Sequence, residues 1–489
     1  MKKFLSFLII ILLFTCAKKE VPSSEVILAR VGDKTISKQE FMARAEFTIR
    51  PNPFKDKYIT LNNLITEKIL ALEAVNNSEL EQNPYFQAQM DGIKEQAMRE
   101  QLYYEEAFNK VQLDTNELKT EYTFSRREYE LDFFSIHKDE IGQAVLAKIQ
   151  SAPDSAQEIF NSLAQAGQMG HQIVKWKDPD FDQIHDALYS GPLKTDSIIG
   201  PLQLEEDNWI IMRVKDWKDY PLISGEDQQM RWNEVKEKVH RKKANKRWYA
   251  YIRGVMQGKQ LEFNKETFDK LADLIREKTF NQNSRQADIE KGPNDQQSPE
   301  LQLSQLEEIE TMLALPLFTI DNQPWTVGDF KSLLMSHPLV YRTTDIHRRN
   351  FKKQFQYAIA DLIRDHYLNQ EAYAQKLDQH HTVKRTLSMW KDSYLSLHQR
   401  DKILRNALVT GNTDLERQTA RRNYWDTYID SLQNLYRKQI YINEEELAQI
   451  QLTSVDMYVT KPGVPHPVAV PAFPQITTSK NLDYAQKMK

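Results

Sequence analysis

Few residues in this 489-residue chain stand at spacings that do chemistry. Cys16 is the only thiol, which excludes an internal disulfide and a cysteine-based zinc site. The stretch Gly254 to Gln260 (GVMQGKQ) has the outline of a phosphate loop, but its glycines stand one residue too close and Gln260 replaces the Ser or Thr that would hold Mg²⁺. No nucleotide is expected. His380 and His381 are adjacent imidazoles with no acidic or cysteine partner at ligand spacing, so they read as solvated turn residues and no metal is expected. The zincin, nucleophile-elbow and CxxC patterns are absent. Arg241, Lys242 and Lys243, continued by Lys246 and Arg247, lie beside Trp248, Tyr249 and Tyr251, the make-up of a single-strand nucleic-acid patch. The whole chain carries 65 Lys+Arg against 69 Asp+Glu, without the basic excess of a nucleic-acid binder. The basic run therefore reads as a solvated helix face, and neither nucleic acid nor a cofactor is expected.

The thiol stands in a telling place. Lys2 and Lys3 precede an apolar run from Phe4 to Phe14, broken only by Ser6. That is a signal-peptide pattern, too short to span a bilayer comfortably. It ends in Leu13-Phe14-Thr15-Cys16, which resembles a bacterial lipobox, with a Leu three residues before the lipidated Cys; Thr15 departs from the usual Gly, Ala or Ser. Each buried CH₂ of an acyl chain contributes about 0.8 kcal/mol, so several chains anchor a protein stably. After cleavage Cys16 would come first, followed by Ala17 and Lys18 and not by a retention Asp. The expected location is the periplasmic face of the outer membrane.

The length suits about three domains. Hydrophobic residues are 40% and charged residues 27%, ordinary globular values, while only 14 glycines favour helices over tight turns. Val26 to Gly32 reads as a strand entering a turn. Ser37 and Glu40 have capping-box form at the start of a helix carrying Phe41. Leu61, Leu64, Ile65, Ile69 and Leu72 mark a second helix, and a third covers about 84–110. The pattern recurs: Phe318 to Phe330 parallels Ala29 to Phe41 at an offset of 289, and Ile359, Leu362, Ile363, Leu368, Glu371 and Ala372 match Leu61, Leu64, Ile65, Leu70, Glu73 and Ala74 at 298. A strand–helix–long-helix unit therefore occurs twice. Between the copies, 126–218 mixes strands (Tyr129 to Ile136, Trp209 to Val214) with helical stretches (Ala144 to Ile149, Ala156 to Ala164) in an α+β pattern. Helix returns over 228–278, 281–300 is a polar linker, and Lys461 to Pro474 holds five prolines and suits an extended PPII segment.

This arrangement resembles the SurA/PrsA group of extracytoplasmic foldases. The "F..LA" segment is similar to Phe160-Asn161-Ser162-Leu163-Ala164, the Gly-rich turn to Gly167-Gln168-Met169-Gly170, and the Phe…Gly stretch to Phe181 and Gly191. The family's Gly-Pro-Ile is similar to Gly200-Pro201-Leu202, and its last strand to Trp209-Ile210-Ile211-Met212-Arg213-Val214. The resemblance implies a mainly α, multidomain fold with an inserted α+β parvulin-like domain, the helical chaperone module being built from two related units. The implied parts are a signal and lipobox at 1–16, a helical unit at 26–125, the parvulin-like domain at 126–220, a helical segment at 221–280, a linker at 281–305, a second helical unit at 306–450 and a Pro-rich tail at 451–489. Phe133 and Trp209 fall where active parvulins carry histidines, and His137 stands too far along to substitute. No catalytic residue carries over. Phe133, Met169, Phe181 and Trp209 remain as candidate peptide-binding residues.

The resemblance implies an ATP-independent chaperone for unfolded exported or outer-membrane proteins. A structural envelope subunit holding one fixed partner, with the tail docked in that partner's groove, is the alternative; an active isomerase with relocated groups is a third. If Cys16 is acylated, Cys16→Ser leaves the protein uncleaved or released from the membrane; mass spectrometry of a soluble, unmodified wild type would contradict this.

Overall fold

The computed structural model describes residues 25–75, 79–137, 140–152, 155–165, 169–179, 181–205, 208–282, 307–407, 413–454 and 457–479. The signal segment with Cys16, residues 283–306 of the linker region, and Gly167 and Gln168 lie outside them. Helices dominate and the strands form three small antiparallel sheets, an α-rich, multidomain fold. Among the described residues no helix is long and apolar enough to cross a membrane. The chain divides into two compact units: one takes the residues up to Ala97, Leu261–Leu362 and those from Asp378 on, and the other takes Met98–Gln260 and Ile363–Leu377.

The strands in chain order are β1 (Ile27–Val31), β2 (Lys34–Ser37), β3 (Arg127–His137), β4 (Gly170–Lys175), β5 (Ile198–Glu205), β6 (Asn208–Asp219), β7 (Leu261–Phe263), β8 (Pro316–Ile320), β9 (Gln323–Thr326) and β10 (Ile440–Ile442). The first unit holds the sheets β10-β1-β2 and β7-β8-β9, and the second holds β4-β3-β6-β5.

The two three-stranded sheets repeat residue by residue. Ile27 pairs with Ser37 and Ala29 with Ile36; Pro316 pairs with Thr326 and Phe318 with Trp325, the same positions 289 residues on, with the same irregularity between the two pairs. Helices Lys38–Glu46 and Val327–Ser336 follow at the same offset. The matched apolar positions on the long helices Lys57–Val75 and Phe351–Ala374 are buried in both copies, Leu61 and Ile359 having no exposed surface. The third strands also correspond. Asn443 after β10 donates its backbone N–H to the Leu28 carbonyl at 2.8 Å, and Asn264 after β7 donates to the Leu317 carbonyl at 2.9 Å. Each Asn then accepts a backbone N–H three residues on, from Glu446 at 3.2 Å and Thr267 at 3.1 Å, capping the helix that follows.

These closing strands are exchanged. β7 precedes the second hairpin in the chain and pairs with its β8, whereas β10 follows the second hairpin and returns to β1 of the first. The first sheet's core accordingly joins Leu28, Val31, Phe41, Leu61 and Ile65 to Trp425, Ile429, Ile440 and Leu447 from the far end of the chain. The second sheet instead rests on an aromatic stack in which Phe268 lies 5.6 Å from Phe355 and Phe263 6.0 Å from Phe318.

Sequence periodicity and structure differ at two elements. The helix expected over 228–278 ends at Met256, where Gly258 at φ 81° turns the chain into β7. Leu261 and Phe263 alternate as a strand does, and β8 provides the partner that local pattern does not show. The capping box expected at Ser37 forms only halfway. Ser37 Oγ accepts the Glu40 N–H at 3.1 Å, but the Glu40 carboxylate pairs with Lys68 at 2.7 Å. At the corresponding Thr326 and Asp329, where no buried lysine competes, the box is complete.

Lys68 belongs to a buried ion network. Its ammonium also reaches Asp392 at 2.9 Å, on helix His381–Asn406, and Asp392 binds Lys34 at 2.6 Å. Alongside, Arg44 forks onto Glu67 at 2.7 and 2.8 Å. Burial works against the charge of Asp392, but Lys68 and Lys34 outweigh it and hold the carboxyl below its ordinary range. Glu40 goes the other way, raised chiefly by burial despite Lys68.

Asp392→Asn removes one counter-charge from a buried lysine and is expected to destabilise this unit by about 3–5 kcal/mol at pH 7. A lowered folded-state pKa means that Asp392 contributes above the unfolded carboxyl value of about 3.9 and stops contributing as pH falls through the folded one. The gap between wild type and variant in urea unfolding should thus shrink from pH 7 to pH 3. The Glu40 contribution has the opposite sign and is lost as pH rises through its raised pKa; Asp392 adds to that rise, so the variant also lowers the Glu40 pKa.

Candidate peptide-binding sites

The four-stranded sheet places the residues that its sequence singles out. One face is covered by helices Thr115–Phe124, Asp182–Tyr189 and Gly225–Met256 around Tyr129, Leu131, Met212 and Val214. The other is covered by helices Glu140–Ser151 and Ser155–Gln165 around Phe134, Ile136, Phe160 and Ile211. Strand side chains alternate between faces, so register decides who meets whom. Phe133 pairs with Met212 and packs on the first face; Trp209 pairs with Ile136 and packs, with Met169, on the second. Phe181 is half-buried at the N-terminus of helix Asp182–Tyr189. The sheet therefore brings Met169 and Trp209 to one apolar face and sets Phe133 on the opposite one. The Phe133 ring lies over Gly170, where a Cβ would stand 2.4 Å from Cζ, so only glycine leaves room for it.

A polar group that the sequence motifs did not single out crosses the second face. Asp132 stands opposite His171 on β4 and Arg213 on β6. His171 Nδ1 lies 3.1 Å from one carboxylate oxygen, and Arg213 Nη2 donates to the other at 2.8 Å. Burial disfavours the charge on Asp132, but these hydrogen bonds outweigh it and hold the carboxyl below its usual range. Arg213 also lies over the Phe160 ring, 5.2 Å from its centroid. A half-exposed imidazole oriented by a carboxylate can hydrogen-bond a ligand on this face. The available signal was a charged residue between Leu131 and Phe133, in the apolar half of the strand; its partners depend on register.

The remaining chemical candidates resolve into structural roles. Lys242 of the basic run pairs with Asp186 at 2.5 Å and lies 3.7 Å from buried Glu121, and Lys243 pairs with Glu117. His380 caps helix His381–Asn406, its Nδ1 accepting the Thr382 N–H at 3.3 Å. Among the described residues no group of three His, Cys, Asp or Glu side chains is arranged to hold a metal ion.

The Pro-rich tail, which the structural-subunit alternative would dock in a partner's groove, is seated on its own unit. It runs without helix from Met457 to Ser479, and Val470, Phe473 and Ile476 are buried. Phe473 packs on Phe54, ring centroids 5.5 Å apart, and Ile476 joins the core with Leu61 and Trp425. Side chains of the body hold the tail's main chain. Arg44 Nη2 donates to the Ala472 carbonyl at 3.1 Å, Trp425 Nε1 to that of Ile476 at 3.1 Å, and Asn62 Nδ2 to that of Ser479 at 2.9 Å. Asn63 accepts the Ile476 and Thr477 N–H groups at 2.8 and 3.0 Å and donates to the Thr477 carbonyl at 2.8 Å.

No protein-family model matches the sequence, and no curated protein does. Among solved structures, the chain is similar to the crystal structure of foldase protein PrsA from Streptococcus pneumoniae str. Canada MDR_19A. Identity is 13% over 44% of this chain and 85% of that one, with a TM-score of 0.18.

Gly170→Ala should displace the Phe133 ring and cost about 1–3 kcal/mol by overpacking. Adding Phe133→Leu should return part of that loss. Chemical denaturation of wild type, single and double variants measures both; equal stability of all three would contradict the ring's placement over Gly170.

Proposed function

We propose that this protein is a lipid-anchored, ATP-independent periplasmic chaperone of the SurA/PrsA type. Its helical module is built from two related units, and the inserted α+β domain is parvulin-like without isomerase activity. Acylated Cys16 would tether it to the periplasmic face of the outer membrane, where unfolded exported or outer-membrane proteins are its clients.

The observation that carries the reading is the seating of residues 472–479: Arg44, Asn62, Asn63 and Trp425 bind an extended polypeptide through its main chain. Main-chain groups are common to every sequence, so such contacts suit a binder of diverse unfolded chains. The absence of turnover is argued from side-chain chemistry. Rotation about a prolyl bond faces a barrier of about 20 kcal/mol. The rings of Phe133 and Trp209 cannot exchange a proton, and they pack on opposite faces of the sheet.

The purified mature protein is expected to suppress aggregation of a diluted unfolded client without ATP, and to leave the isomerisation rate of an X-Pro peptide at its spontaneous value. Affinity capture should return a broad set of exported proteins. A single stoichiometric partner would favour the structural-subunit reading instead, and robust turnover would favour an active isomerase.

A further inference from the structure

The floor beneath the tail is built to bind chain and is held together without it. It consists of helices Lys38–Glu46, Lys57–Val75 and Asp414–Tyr436, which contribute Arg44, Asn62, Asn63 and Trp425. Asn62 and Asn63 have no exposed surface, an expensive place for an amide unless it is fully bonded. Each has an anchor within the body: Gln433 Nε2 donates to Asn62 Oδ1 at 3.2 Å, and Asn63 Nδ2 donates to the Ile59 carbonyl at 2.9 Å. Both amides also bond the tail, Asn62 through Nδ2 and Asn63 through both Nδ2 and Oδ1. The Arg44–Glu67 fork and the Lys68 network lock the first two of these helices, and Gln433 ties the third to Asn62 and Thr66, all independently of the tail. An undocked tail would therefore leave an organised groove that water can enter.

What the groove reads is also defined. Val470, Phe473 and Ile476 are buried at intervals of three; Pro471 is buried beside Val470, and Pro474 is partly exposed. Three residues per turn is the PPII repeat, whose main chain makes no internal hydrogen bonds and so presents its N–H and C=O groups outward. Asn63 engages one such residue from both sides, receiving the Thr477 N–H and donating to the Thr477 carbonyl. The apolar seats ask only for hydrophobic side chains three apart, and no strand ladder fixes the tail's register here.

We propose that this groove is the client site itself: it takes extended polypeptide with apolar side chains three residues apart, and residues 470–479 are its resident occupant, displaced when a client chain enters. The proposal rests on the chaperone reading and names the surface that performs it. A tethered occupant competes at high effective concentration. A short free peptide is thus largely shut out, while a long unfolded chain that engages further surface can compete. The tail also covers apolar surface that would otherwise be open to self-association.

The test uses the full mature chain. Phe473→Asp with Ile476→Asp undocks the tail without shortening the protein. The probe is a fluorescent synthetic peptide with the sequence of residues 468–479. The undocked variant should bind it on the order of 100-fold more tightly than wild type, and adding Asn63→Ala should remove that gain. A variant that keeps its helical circular dichroism and does not bind the peptide overturns the proposal. So does one that unfolds and is not restored by the peptide, because the tail is then a structural strap. Hydrogen exchange on unaltered protein supplies a second measurement. A permanently unfolded, carboxymethylated protein added in excess should deprotect the Ile476 and Thr477 amides and leave helix Lys57–Val75 protected. If wild type suppresses aggregation while those amides stay protected, the chaperone reading stands and this site is wrong. If wild type suppresses nothing, the chaperone reading fails, and peptide binding by the undocked variant still decides whether the groove binds chain.

Discussion

Lys68 has no exposed surface, and the first unit is arranged around making its charge tolerable. Taking an ammonium out of water costs several kcal/mol, which is recovered only by close counter-charges and full hydrogen bonding. Here Glu40 comes from the short helix after the first hairpin and Asp392 from a helix more than three hundred residues later. Asp392 binds Lys34 of β2 as well. The network is thus a register device: it works only when hairpin, short helix and two long helices meet in one arrangement. It also explains why Glu40 gives up its role at the helix cap. Next to it the Arg44–Glu67 fork fixes the guanidinium from which the Ala472 carbonyl is held, so the same charges that order the body also shape the groove.

The exchange of closing strands adds a second constraint. The two sheets agree in pairing, in their irregularity and in the Asn that ends the third strand, so each hairpin demands the same three-residue closing strand. In chain order each hairpin has one candidate after it, yet β10 closes the first hairpin and β7 the second. The sheet order therefore ties early and late parts of the chain to each other, and such non-local pairing is slow to form because loop-closure entropy precedes the contacts. A fold in which the last helices complete the first core is one whose tail-binding groove forms only once those helices are in place.

The α+β sheet shows how register governs chemistry. A shift of one residue in pairing sends a side chain to the other face. Phe133 and Trp209 fall on opposite faces for this reason, while Asp132, His171 and Arg213 align across three strands into one polar row. Gly170 is kept bare by the ring of Phe133, a steric demand from the neighbouring strand.

Much of the helical architecture was legible from spacing alone. Apolar positions at three and four residues marked the long helices, Ser37 and Thr326 marked helix starts, and the offset of 289 between the hairpins is a property of the sequence that the sheets repeat pair by pair. These signals are local, and a helix or hairpin is closed by neighbours in the chain. What lay beyond reach was every feature that depends on distant partners. Leu261 to Phe263 is too short to show a strand period without β8, and Glu40 reads as a capping residue until Lys68 and Asp392 are brought beside it. The prolines of the tail announced an extended segment, but not where it would lie. Only the tertiary structure decided that: residues 459–469 fold back on themselves through the Lys461–Pro467 and Ala469–Val459 backbone bonds, and 472–479 takes its place from the side chains of Arg44, Asn62, Asn63 and Trp425.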